Sequence, residues 1–159
     1  MAWAIRFITK QKASHAWISF YDEFLDQRMV MEASNTGYRL LPIGYWARQF
    51  PGLKTWVFVY RKDGIEIGVK EIAKKLGTEY DVRFMLWHAT KRWFKRLWNH
   101  PGNSPNKMAC SEANVRIMQV ANVPGSSVLD PELMTPGDLL CFLNSSNYFY
   151  AVDISNYLK

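Results

Sequence analysis

The segment WVFVY, residues 56 to 60, stands just before a change of period that restricts what this chain can fold into. Up to Asp63-Gly64 the apolar residues come in short aromatic or β-branched runs. Beyond it Ile65, Val69, Ile72, Ala73 and Leu76 recur at helical spacing, and Gly77 follows as a stop. Upstream, AIRFI (4 to 8), HAWISFY (15 to 21) and MVMEA (29 to 33) read as strands separated by polar stretches, most simply a meander. YRLLPIGYWARQF then continues into the strand LKTWVFVYRK, residues 53 to 62. Downstream, a second helix is expected over roughly 80 to 98, then the loop HPGNSPNK, then a helix opened near Cys110 and closed near Asn122-Val123-Pro124. DLLCFL (138 to 143) and YFYAVDI (148 to 154) are expected as two final strands. Strands before and after a block of helices imply an α+β fold with an antiparallel sheet. A length of 159 residues with 48% hydrophobic content is enough for one well-packed domain and short for two, so residues 1–159 are expected to form a single domain.

Two cysteines, Cys110 and Cys141, provide neither a disulfide framework nor four metal ligands, and the three histidines lack a zinc spacing, so no metal or cofactor is expected. The N-terminus MAWAIRFITKQK lacks the apolar run of a signal peptide, and no stretch reaches the length of a membrane span. The chain is therefore expected to be cytoplasmic as synthesised, in a reducing compartment. A net charge of +6 and a pI near 9.4 permit an acidic partner without choosing one.

Cys110 sits where a loop rich in proline and glycine gives way to the helical pattern KMACSEANVRIMQV. A thiol at a helix N-terminus feels the positive end of the macrodipole, which favours thiolate. Such a nucleophile needs a base, and the base needs a group to fix its tautomer. His15 opens the strand HAWISFY, and Glu32 would lie opposite it or one pair displaced on an antiparallel neighbour. Asp22 or Glu23 would serve instead in another register. Cys141, inside the apolar run LLCFL, reads as a core thiol. Ser111 and Glu112 suit the first turn of the helix, Glu112 equally well as a structural carboxylate or as part of the site. His88 and His100 read as packing or surface residues.

FMLWHATKRWFKRLW, residues 84 to 98, reads as a basic amphipathic helix with Trp93 and Trp98 on the apolar arc and Lys91, Arg92, Lys95 and Arg96 on the rest. Its face would pack on the sheet, or dock on an anionic membrane surface or acidic polymer. No recognisable nucleic-acid module accompanies the charge, and no nucleic-acid partner is expected.

Four motifs, in order, carry a resemblance. SHAWISF followed by MEASNTGYRLLP is similar to the "SHvgi" and "vEA…Gv" strands of permuted papain-fold cysteine hydrolases, the YiiX-like branch of the NlpC-type superfamily. LGTEYDVRF resembles that family's "lGkpYD" step, KMACSEANVRIM its "yyCSElv", and DPELMTPGDLL its "sPgDL". The resemblance implies a circularly permuted papain-like (NlpC-type) fold, an antiparallel sheet packed against the helix that carries the nucleophile. It implies Cys110 as nucleophile, His15 as base, Glu32 as orienting acid and Tyr80 at the border of the site. The chain departs from the pattern in the aromatic-basic insertion between Tyr80 and Cys110 and in Ala113-Asn114. The activity implied is thiol-dependent hydrolysis of an amide, with cell-wall peptides of peptidoglycan as substrate. Alternatives are a lipid-directed acyl hydrolase or acyltransferase, by likeness to lecithin retinol acyltransferase relatives, and an inactive binding module using residues 84 to 98. A cell-wall enzyme without a leader would fit a phage-encoded or virion-associated protein.

Overall fold

A computed structural model of the chain describes residues 13–50, 55–81 and 106–153. The fold is α+β. Strands β1 (Trp17–Asp22), β2 (Gln27–Ser34) and β3 (Gly37–Pro42) form an antiparallel meander in the order β1-β2-β3. Helix α1 (Ile43–Gln49) follows directly, and β4 (Val57–Tyr60) comes next. Helix α2 (Ile65–Ala73) starts at Gly64, whose φ of +100° is open to glycine, and β5 (Glu79–Tyr80) runs parallel to β6 (Lys107–Met108). Helix α3 (Cys110–Val120), a 3-10 turn at Ser126–Val128, helix α4 (Pro136–Ser145) and β7 (Phe149–Val152) complete the described residues, with β7 antiparallel to β4.

The core that positions the site lies between the inner face of β2 and helices α2 and α3. Met31 and Ala33 from β2, Val69 and Ile72 from α2, and Ala113 and Ile117 from α3 are buried together, with Cys110 in the same cluster. Burying an aliphatic side chain of this size contributes about 1.5–3 kcal/mol, enough across these residues to hold α3 against the sheet. The two helices touch through backbone. A Cβ on Gly68 would lie 2.1 Å from the Ile117 carbonyl oxygen, so only glycine allows α2 to approach α3 this closely.

Two elements differ from the sequence expectation. IGYWARQ is helix α1 rather than extended chain, because Ile43 and Trp46, one turn apart, both bury against Val30. DLLCFL is part of helix α4 and not a strand. Thr135 caps that helix by accepting from the Asp138 N–H while Asp138 reaches back to the Thr135 N–H, and Pro136 occupies the first helical position. Leu139, Phe142 and Leu143 then fall on one face and pack against Val115 and Met118. Cys141 consequently points outward and is exposed, not a core thiol. AIRFI, the aromatic-basic segment 84 to 98 with Trp93, Trp98, Lys91, Arg92, Lys95 and Arg96, and both His88 and His100 lie outside the described residues. Among the described residues no helix is long and apolar enough to cross a membrane.

Candidate active site

Glu32 is the most tightly held polar side chain of the site. It lies on β2 with none of its side chain exposed, and both carboxylate oxygens are occupied. Oε1 accepts from Arg39 Nε and Nη2 at 3.0 and 2.6 Å, and Oε2 accepts from Trp46 Nε1 at 3.0 Å and contacts His15 Nε2 at 2.7 Å. Arg39 comes from the position directly across the β2–β3 hairpin, Glu32↔Arg39, and Trp46 from the first turns of α1. Burial pushes the carboxyl up, but the hydrogen bond and charge of His15, with Trp46 and Arg39, outweigh it and hold the group at about 2.

His15 precedes β1. The register pairs Glu32 with Trp17, so the histidine, two residues before Trp17, reaches the carboxylate on the diagonal, one same-face pair displaced, and not from the directly opposite position. Asp22 and Glu23 stand at the far end of β1, in the hairpin, where Asp22 accepts the Leu25 N–H at 2.9 Å. Cys110 lies beside the same imidazole and interacts with it by hydrogen bonding and charge. Burial lowers the affinity of the imidazole for its proton, but Cys110 and Glu32 beside it raise its pKa to about 10.

Cys110 opens α3 and is buried. Its N-cap is Ala109, which has no side-chain oxygen to accept the first-turn N–H groups. One of these, the Ser111 N–H, hydrogen-bonds the sulfur, as does the Ala16 N–H from the strand side. Burial raises the thiol, yet His15 and these two N–H groups more than compensate, and Cys110 lies below its ordinary value. The surroundings of both groups thus favour a thiolate paired with an imidazolium.

The remaining first-turn residues fix the helix in place. Glu112 accepts the Ala109 N–H at 3.1 Å and Arg116 Nε at 2.9 Å, and burial pushes its carboxyl up. It acts as a structural cap. Ser111 Oγ donates to the Met134 carbonyl at 2.5 Å, and Asn114 Nδ2 donates to the Cys110 carbonyl at 2.8 Å. Tyr80 reaches the same sulfur through its hydroxyl, placed there by the β5–β6 pair that sets Tyr80 beside Met108. Burial, with the Cys110 charge, raises that hydroxyl well above an ordinary tyrosine, so it stays a hydrogen-bond donor.

His15, Glu32, Cys110 and Tyr80, separated by up to 95 positions in the chain, thus meet at one sulfur and one imidazole. The partners that sequence reading did not name are Arg39, Trp46 and the Ala16 N–H. A signal for Arg39 was present: the two-residue turn Asn35-Thr36 sets it opposite Glu32. Trp46 had none, because its place depends on α1. Comparison with protein-family models, with curated proteins and with solved structures gives no match to this chain.

Proposed function

We propose that the chain is a cysteine hydrolase that cleaves an amide bond through Cys110, His15 and Glu32, on a circularly permuted papain-like frame. The observation that carries this reading is one imidazole that contacts the Glu32 carboxylate through Nε2 at 2.7 Å and interacts with the Cys110 thiol, with the thiol at a helix start. In the proposed reaction the Cys110 thiolate adds to the substrate carbonyl and forms a C–S bond. The carbonyl π pair moves to oxygen, which in this reading accepts from the Cys110 N–H and the Tyr80 hydroxyl. A single such donor is worth about 3–4 kcal/mol in the transition state. His15 imidazolium protonates the leaving nitrogen as the C–N bond breaks, and neutral His15 then takes a proton from water, which displaces the thiolate.

Arg39 and Trp46 hold Glu32 ionised and in place, so that His15 keeps one orientation through both proton transfers. The net charge of +6 suits an anionic wall polymer, and cell-wall peptides are the substrate class we propose. The test is release of new amino groups from purified peptidoglycan by the full chain and its absence with Cys110→Ala. Turnover of acyl esters or thioesters with no peptide cleavage would favour the acyl-hydrolase alternative instead, and no turnover of either class would leave a binding module.

A further inference from the structure

Glu32 is a buried carboxylate shared between two basic side chains. Arg39 Nε and Nη2 both donate to Oε1, at 3.0 and 2.6 Å, which leaves Oε2 to His15 Nε2 at 2.7 Å and Trp46 Nε1 at 3.0 Å. The backbone enforces this division. Arg39 stands directly across the β2–β3 ladder from Glu32, whereas His15 approaches from the β1 side. The titratable and charged groups that meet here are Glu32 from β2, Arg39 from β3, Cys110 from α3 and Tyr80 from β5, the last with Asp81 beside it. Glu112 on α3 is paired with Arg116, while Arg48 on α1 and Glu66, Lys70 and Glu71 on α2 are exposed. Helix α1 adds the neutral Trp46 N–H.

A second cation is more than this carboxylate requires. The Trp46 N–H and a protonated His15 already satisfy Oε2 and balance the charge, and a buried ion pair is weak evidence for stability. What Arg39 changes is the charge count of the site. With Arg39 and Glu32 cancelling, the site carries no net charge either as thiol with imidazole or as thiolate with imidazolium. Without Arg39, each of those states leaves one buried negative charge uncompensated, and that charge opposes loss of a proton from either group. Hydrolysis requires His15 to give its proton to the leaving group, a transfer that slows when the proton is held too tightly.

We propose that Arg39 is a positioning residue that acts through Glu32 to limit how tightly His15 and Cys110 hold their protons. The consequence for turnover rests on the hydrolase reading; the titration does not. The test is a pH titration of the full chain carrying Cys141→Ser, which removes the exposed second thiol. Ultraviolet thiolate absorbance reads Cys110, and carbon–proton correlation spectra read the His15 ring, assigned by its loss in His15→Ala. The two groups titrate as a coupled pair, so both signals are followed. Arg39→Met should raise both steps, that of His15 by about half a pH unit or more; the Arg39 side chain is 26% exposed, so water screens part of its charge. Arg39→Lys should restore the native positions. Gln49→Glu, which sets a carboxylate on the exposed side of Arg39 in place of the 3.2 Å amide contact, should raise both steps by less, and it carries the test if urea midpoints show that Arg39→Met does not fold. A role confined to holding Glu32 in place predicts the opposite sign, because a displaced carboxylate deprives the imidazolium of its counter-ion and the His15 step falls. A fall or no change of that step in the variants that fold overturns the proposal. Absence of thiolate in the native chain below the ordinary cysteine range would count against the hydrolase reading alone, since the His15 step still reports on Arg39.

Discussion

His15 Nε2 and Glu32 Oε2 lie 2.7 Å apart although the two residues are not cross-strand partners; Glu32 is paired with Trp17, and the imidazole reaches it on the diagonal. That diagonal brings Nε2 to the carboxylate, and the same imidazole interacts with Cys110. The geometry links β1, β2 and α3 through one ring, and its chemical consequences can be measured separately.

Alkylation at pH 6 reads the thiolate. An unperturbed cysteine, with a pKa near 8.5, is only about 0.3% ionised there. Cys110, held low by His15 and two backbone N–H groups, should react with iodoacetamide at least about ten-fold faster than the exposed Cys141 of the same molecule. Peptide mass spectrometry separates the two sites, and His15→Ala should abolish the preference. Equal, slow labelling of both thiols in folded protein would remove the ion pair.

Glu32→Gln keeps the shape and removes the charge. Arg39 then faces an amide, and the imidazolium loses its counter-ion. A loss of about 3 kcal/mol in unfolding free energy is expected, since one partner of a buried pair is left without compensation. Cys110 alkylation at pH 6 should fall with it. Urea unfolding and labelling on one preparation check both, and a fully stable, fully reactive variant would show that the carboxylate holds nothing.

Acid titration should reveal the same group. The folded Glu32 carboxyl sits at about 2 against an ordinary 4.5, so its contribution is fully present above pH 4.5 and is lost as pH falls through about 2. His15 has the opposite sign: raised from 6.5 to about 10, it contributes below pH 6.5 and loses that contribution as pH rises through about 10. Urea midpoints between pH 2 and 6 should slope for the native chain and flatten for Glu32→Gln; parallel curves would contradict the assignment.

Gly68→Ala and Gly64→Ala distinguish close packing from backbone strain. A methyl at Gly68 meets backbone at 2.1 Å, and the helices must part, at a cost of about 3 kcal/mol or more. At Gly64 a methyl meets nothing within 4 Å and the cost is left-handed φ alone, about 1 kcal/mol. Thermal or urea unfolding ranks the two, and a reversed order would mean that α2 does not lie against α3 as described.

The meander, helix α2 and the start of α3 were legible because each carries its own local signal: period-two alternation, period-three-and-four spacing with Gly64 and Gly77, and a loop ending at Cys110. Helices α1 and α4 were not. IGYWARQ and DLLCFL are short apolar runs whose period does not separate strand from helix, and their state is decided by what they bury against. In DLLCFL the Thr135-Pro136-Gly137-Asp138 cap was the better guide than the run it introduces. The site was legible as residue types in order, His15, Glu32, Tyr80 and Cys110. The exact register was not, since a hairpin of unknown turn leaves the diagonal and the direct pairing equally open until β1 and β2 are seen together.

The Gly68 contact also says what would have to travel with this site. Cys110 stands at the head of a helix whose distance from its neighbour is set by backbone touching backbone, seven residues further along at Ile117. Side chains of α2 can drift in sequence without shifting the sulfur, provided that one position stays bare. Grafting the thiol and its imidazole onto another scaffold therefore means transplanting α2 together with α3 and the meander; a transfer of the polar residues alone would leave the sulfur without the surface that sets its height.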